Sequence, residues 1–126
     1  MLDHVSLGVA DLARSRAFYD AVLAPLGYRR LFDLDDASGY GAAREKGQAL
    51  PFWIGQEPAV APASGHLCFA APSRAAVDQF HRAALAAGGR DNGKPGLRPQ
   101  YHASYYAAFI VDPDGHRIEA VRHQAE

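Results

Sequence analysis

The chain has 126 residues, of which 48% are apolar and 21% charged, the length and mix of a folded domain with a single core. A formal net charge of -1 and the lack of any Lys/Arg run exclude a broad basic surface, so neither nucleic acid nor a membrane is the expected partner. Cys68 is the only cysteine, which excludes a disulfide framework and a cysteine-built zinc site; any metal must be held by imidazole and carboxylate. The start, Met1-Leu2-Asp3-His4-Val5, has no signal-peptide pattern, and no apolar run approaches the roughly 18 residues of a spanning helix. A cytoplasmic protein is expected.

In chain order, Val5, Leu7 and Val9 alternate with His4, Ser6 and Gly8, which predicts a strand with two unlike faces. Asp11 is a suitable N-cap for a helix from Leu12 to about Leu26 with Gly27 as its stop. Three short strands are predicted next, about Tyr28 to Asp33, Tyr40 to Arg44 and Leu50 to Ile54, separated by the turn residues Asp35-Asp36 and Lys46-Gly47. A Pro- and Ala-rich stretch, residues 57–64, reads as a connector.

The pattern then repeats. Shifted by about 62 positions, His4-Val5-Ser6-Leu7 falls on His66-Leu67-Cys68-Phe69, Phe18 on Phe80, Leu23 on Leu85 and Gly27 on Gly89. Ser73 caps a second helix from Arg74 to about Ala87. Asp91 to Gln100, rich in Gly and Pro, reads as a long loop, and Tyr105 to Val111 and His116 to Arg122 as a hairpin turned by Asp112-Pro113-Asp114-Gly115. The expected fold is α+β: two tandem βαβββ modules, about 1–56 and 65–123 with the linker 57–64 between them, forming a curved mixed sheet around a metal-binding cleft with the helices on its outer face.

The repeat puts His4 and His66 at equivalent places, each opening a strand on its less apolar face, and Glu119 lies on the less apolar face of the last strand. A two-histidine, one-carboxylate set suits one divalent ion, Fe, Mn, Zn, Ni or Co, with positions left open for substrate. Taken singly, each of the three is more often a surface or hydrogen-bonded residue; the repeat is what joins them. The segment Arg98 to Tyr106 leads into a strand and offers substrate contacts: Arg98 for an anion, Tyr101 beside it, His102 to move protons and the hydroxyl of Tyr106 to donate to a bound oxygen. Phe52 and Trp53 are candidates for a pocket wall. Cys68 shares the face of His66 and reads as a small buried thiol.

Leu2-Asp3-His4-Val5, the Ala17-Phe18-Tyr19 helix ending at Leu26-Gly27-Tyr28, Gly65-His66 and above all Asp112-Pro113-Asp114-Gly115-His116-Arg117-Ile118-Glu119 resemble the vicinal oxygen chelate superfamily of glyoxalases, extradiol dioxygenases, fosfomycin-resistance transferases and bleomycin-resistance proteins. The resemblance covers nearly the whole chain. It implies metal ligands on the first and last strands of the copies, here His4, His66 and Glu119, with Glu119 also catalytic. A fourth ligand is expected around Pro51-Phe52-Trp53, where neither carboxylate nor histidine stands; this weighs against a glyoxalase. Two classes of function follow: a metal-dependent lyase, isomerase or ring-cleaving dioxygenase acting on a small oxygen-chelating substrate, and a metal-independent, drug-sequestering binding protein. The exposed edges of such a fold point to a homodimer.

Overall fold

The computed structural model describes residues 1–45 and 47–126. The elements run β1 (Val5–Val9), α1 (Leu12–Leu23), a 3-10 turn (Ala24–Leu26), β2 (Tyr28–Asp33), β3 (Ala37–Ala42), β4 (Phe52–Gln56), β5 (His66–Ala70), α2 (Arg74–Ala86), β6 (Arg90–Leu97), β7 (Tyr106–Val111) and β8 (Arg117–Arg122). Two four-stranded mixed sheets result, ordered β1-β4-β3-β2 and β5-β8-β7-β6. In each, the first strand runs parallel to the last and the remaining pairs are antiparallel. The fold is α+β, two βαβββ modules with the same strand order. Among the described residues no helix is long and apolar enough to cross a membrane.

Both helices start where the sequence places them. The Asp11 side chain accepts from Arg14 N at 3.1 Å and Ser73 Oγ from Ala76 N at 3.1 Å, each satisfying a free donor of a first turn. The first helix tightens at Ala24-Pro25-Leu26 and stops at Gly27, whose φ of 89° suits a residue without a Cβ. Three elements differ most from expectation. Strand β3 starts earlier, at Ala37, and β4 runs later, to Gln56. Residues 90–97 are a strand instead of a loop: β6 is an edge strand, where Pro95 and the glycines are tolerated because pairing is needed on one side only. Lys46, half of the expected Lys46-Gly47 turn, lies outside the described residues.

One core joins the modules. Phe18, Tyr19, Val22 and Leu23 of α1 and Val77, Phe80 and Ala84 of α2 pack with Val9, Tyr40, Phe52 and Ile54 of the first sheet and Ala108, Ile110, Ile118 and Ala120 of the second. The alternation of β1 turns Val5 and Leu7 toward Leu67 and Ile118 across the module boundary. Each sheet therefore keeps its other face outside the core.

The β7–β8 turn fastens the second module to the first. Asp112 Oδ2 accepts from Tyr19 Oη at 2.6 Å, and Oδ1 from the backbone N–H groups of Asp114 and His116 at 2.9 and 2.8 Å. Asp114 accepts from Ala10 N at 3.0 Å, Arg14 Nη2 at 3.1 Å and Ser15 Oγ at 3.3 Å. His116 Nε2 donates to the carbonyl of Gly8 at 2.7 Å. Burial, and then the charge and hydrogen bond of Asp112, hold the proton on Tyr19 well above the usual phenol range. Asp112→Ala strips three donors of their acceptor and is expected to lower stability by about 2–4 kcal/mol, whereas Tyr19→Phe, which leaves two of the three bonds, should lose about 1–2 kcal/mol. Urea unfolding followed by tryptophan fluorescence measures both.

Candidate metal and substrate site

On the outer face of the second sheet, period two brings His66, Cys68 and Ala70 of β5 beside Arg117, Glu119 and Val121 of β8, and Glu119 beside Phe109 of β7. Glu119 is 1% exposed. Its Oε2 lies 2.8 Å from His66 Nε2 and its Oε1 accepts from Tyr105 Oη at 2.6 Å. A buried carboxylate needs such partners, because an unpaired charge out of water is costly. Tyr105 answers in kind: burial, then the hydrogen bond and charge of Glu119, push its hydroxyl above the usual phenol range. Cys68 is exposed, not buried as expected, since β5 is an edge strand and its outer face is open. Its thiol is nonetheless pushed up, first by the loss of water on the sulfur's inner side and then by Glu119.

Tyr105, which sequence reasoning does not single out, is the tyrosine that meets Glu119. Tyr106, named in its place, lies on the opposite face and donates to Asp78 Oδ1 of α2 at 2.7 Å, with the Arg74 guanidinium over its ring; it turns away from Glu119. Counting back by twos from Phe109, the partner of Glu119, picks out Tyr105. Its ring is flanked by Tyr101, His102 and His123, with centroids 4.9, 5.4 and 5.0 Å away. His102 Nε2 is 2.9 Å from His123 Nδ1, so His102 meets the site only through Tyr105. Tyr101, 61% exposed, forms the rim.

His4 lies elsewhere. Its Nδ1 is 2.7 Å from Asp3 Oδ1, and it lines a hollow with Asp3, Ser6, Leu34, Ala37, Leu50 and Trp53 on the outer face of the first sheet. Among the described residues no three His, Cys, Asp or Glu side chains are grouped so as to hold a metal ion. Phe52 and Trp53 also part company. Phe52 is buried in the core against Tyr19, Tyr40 and Phe69, where it also lines an apolar hollow with Val5, Tyr28, Cys68 and Phe69. Trp53 faces outward beside His4, with its indole N–H on the carbonyl of Leu50 at 3.0 Å. A Cβ at Gly39 would stand 2.9 Å from that ring, so only glycine leaves room for it. Ser6 pairs with Trp53 as Cys68 pairs with Glu119. The place of the missing fourth ligand is therefore that of Trp53.

Comparison with known proteins gives the same grouping. Residues 1–120 match the family model of the Glyoxalase/Bleomycin resistance protein/Dioxygenase superfamily. The chain belongs to this superfamily. A crystal structure of a glyoxalase/bleomycin resistance protein from Albidiferax ferrireducens is 34% identical with a TM-score of 0.78, covering 94% of this chain and 95% of that one. A mutant of the fosfomycin resistance protein FosX from Listeria monocytogenes, complexed with Mn(II) and 1S,2S-dihydroxypropylphosphonic acid, is 19% identical with a TM-score of 0.70 over 100% of this chain and 92% of that one; at that identity the likeness concerns the fold. A glyoxalase I mutant from Zea mays is 25% identical with a TM-score of 0.70, over 94% of this chain and 45% of that one. No match was found among curated proteins.

Tyr105→Phe removes the donor to Glu119 Oε1, and hydrogen bonds to charged groups contribute about 1.5–3 kcal/mol. The variant should unfold at correspondingly lower urea concentration, while Tyr101→Phe, at the exposed rim, should be indistinguishable from the parent.

Proposed function

We propose that the chain is a metal-dependent enzyme of its superfamily, holding one divalent ion through His66 and Glu119 of one copy and His4 of a second copy in a homodimer. The observation that carries this reading is the pair His66–Glu119. An imidazole nitrogen and a buried carboxylate oxygen stand 2.8 Å apart, close to the roughly 3 Å between two ligands each about 2.1 Å from one ion at right angles. The donor set, nitrogen and oxygen without sulfur, suits Fe, Mn, Zn, Ni or Co. His4 lies on the outer face of the other sheet, so a single chain does not bring it to this pair; a second copy, laying its first sheet against the second sheet of its partner, supplies it. The ion would contribute Lewis acidity toward two neighbouring oxygens of a small substrate.

The chain's own groups have separate tasks. Tyr105 gives its single O–H donor to Glu119 Oε1 and so fixes the carboxylate for the ion. Trp53 of the second copy presents an aromatic wall where a fourth carboxylate would stand, which favours dioxygenase or other three-ligand chemistry over the glyoxalase reaction. His102 stands beyond Tyr105, beside its ring, in reach of solvent for moving protons.

Tag-free protein purified without chelators should contain about one divalent ion per chain, and both His66→Ala and Glu119→Gln, each removing one of three direct ligands, should weaken its binding by more than the roughly 10–100-fold that loss of an outer-shell partner costs. Retention at parental affinity sinks the assignment. Light scattering should give a dimer. Co-expression of His4→Ala with Glu119→Gln chains tests the shared site: random pairing makes about half of the dimers mixed, each with one undamaged site, so metal should return to about a quarter of the sites. A mixture as empty as either variant alone removes the second copy from the site. Consumption of dissolved oxygen with catechols supports ring cleavage; anaerobic turnover of a methylglyoxal-thiol adduct, lost in Glu119→Gln, supports the glyoxalase route instead.

A further inference from the structure

Strand β6 loses register with β7 twice, between Asp91 and Gly93 and between Gly93 and Gly96, and the side chain of Arg98 folds back over this irregular stretch. Its Nη1 donates to the carbonyl of Gly96 at 2.9 Å and its Nη2 to that of Lys94 at 2.7 Å. The guanidinium carbon sits 5.5 Å from the centre of the Phe109 ring, a favourable cation–aromatic contact. A Cβ at Gly93 would stand 2.9 Å from Phe109 Cδ2 and 3.4 Å from Arg98 Nη2, and one at Gly96 3.2 Å from Arg98 Nη1. The two glycines are what let the guanidinium lie down on the ring. Phe109 is the cross-strand partner of Glu119 and lies edge-on to His66 at 6.1 Å, so the charge is fixed on the face that carries the proposed site.

Two carbonyls orient this guanidinium, and among the described residues no carboxylate lies within ion-pair distance of it. Other arginines are unpaired too, but Arg98 is the one held by two carbonyls over an aromatic ring of this face. Of the five N–H donors of a guanidinium, two are engaged and three remain. A planar fork already held in place loses little freedom on gripping an oxyanion, which is the arrangement that gives arginine its advantage over lysine. We propose that Arg98 is a preset receptor for an anionic oxygen group, and that the substrate bound at the His66–Glu119 face carries a carboxylate or phosphate beside its chelating oxygens. The substrate class rests on the function proposed above; the anion receptor itself does not.

The test has a metal-free arm and a metal-loaded arm. Metal-free protein titrated with acetate, and separately with inorganic phosphate, should show saturable backbone amide shifts over residues 93–98 and 105–109. Arg98→Met, which keeps the aliphatic stem, should weaken that binding about tenfold, the order expected for a charge-assisted hydrogen bond, and the tighter of the two anions identifies the group received. No shifts in the parent, or equal affinity in Arg98→Met, overturns the receptor. In Mn(II)-loaded protein, 3,4-dihydroxybenzoate should bind about tenfold more tightly than catechol, and Arg98→Met should bring the ratio to about one with metal content and catechol affinity unchanged. The same ratio in both proteins overturns the substrate class. Failure of the chain to load metal, with the anion titration intact, would remove the proposed function and leave the receptor standing.

Discussion

A carboxylate buried between two packed modules is tolerable only when its acceptor sites are used, and Asp112, 2% exposed, meets that condition by accepting from one side chain of the first module and two N–H groups of its own turn. Asp114, next to it, does the same for Ala10, Arg14 and Ser15. Two carboxylates of one turn thus hold α1, and Asp114 also holds Ala10 just after β1, with Pro113 between them and Gly115, at φ 96°, closing the turn. Strand β8 begins directly after this latch, so the position of Glu119 relative to the first module depends on it. The most recognisable segment of the sequence turns out to be constrained mainly by this docking, and only its last residue belongs to the site.

The parts of the fold legible in the sequence were those governed by a simple period. Alternation put His66, Cys68 and Glu119 on one face, the caps Asp11 and Ser73 marked the helices, and the repeat gave two modules before any contact was known. Where two adjacent residues had similar chemistry, the choice between faces was lost. Tyr105 and Tyr106 differ only in parity, and the parity is set by pairing with Glu119, two strands' worth of register that the loop before them obscured. Phe52 and Trp53 pose the same problem. Strand β6 escaped detection for another reason: Gly93, Pro95 and Gly96 carry turn chemistry, and they lie in a strand because the edge of a sheet asks for few hydrogen bonds and because Arg98 needs the space.

The shared register makes the differences between modules informative. Ser6 and Trp53 occupy in the first sheet what Cys68 and Glu119 occupy in the second. One half therefore offers an indole held by the carbonyl of Leu50 over Gly39, and the other a carboxylate held by Tyr105 and His66. Equivalent backbones have been given unlike tasks, an apolar wall and an acid. On the proposed reading a substrate meets both only when two copies face each other, since within one chain these faces lie on different sheets outside a common core.

That division has an energetic consequence. His66 and Glu119 are already paired on one sheet, with Tyr105 just before β7, whereas His4 precedes β1 and among the described residues its ring is hydrogen-bonded only to Asp3. If His4 of the second copy completes the site, metal binding and chain association become linked equilibria, and whatever factor the metal adds to the dimer's affinity, dimer formation must add to the metal's. On that reading the preset half alone would hold an ion weakly, so dilution should loosen the metal before it unfolds the chain. The buried carboxylate would then fix where the ion sits, and His4 of the second copy whether it stays.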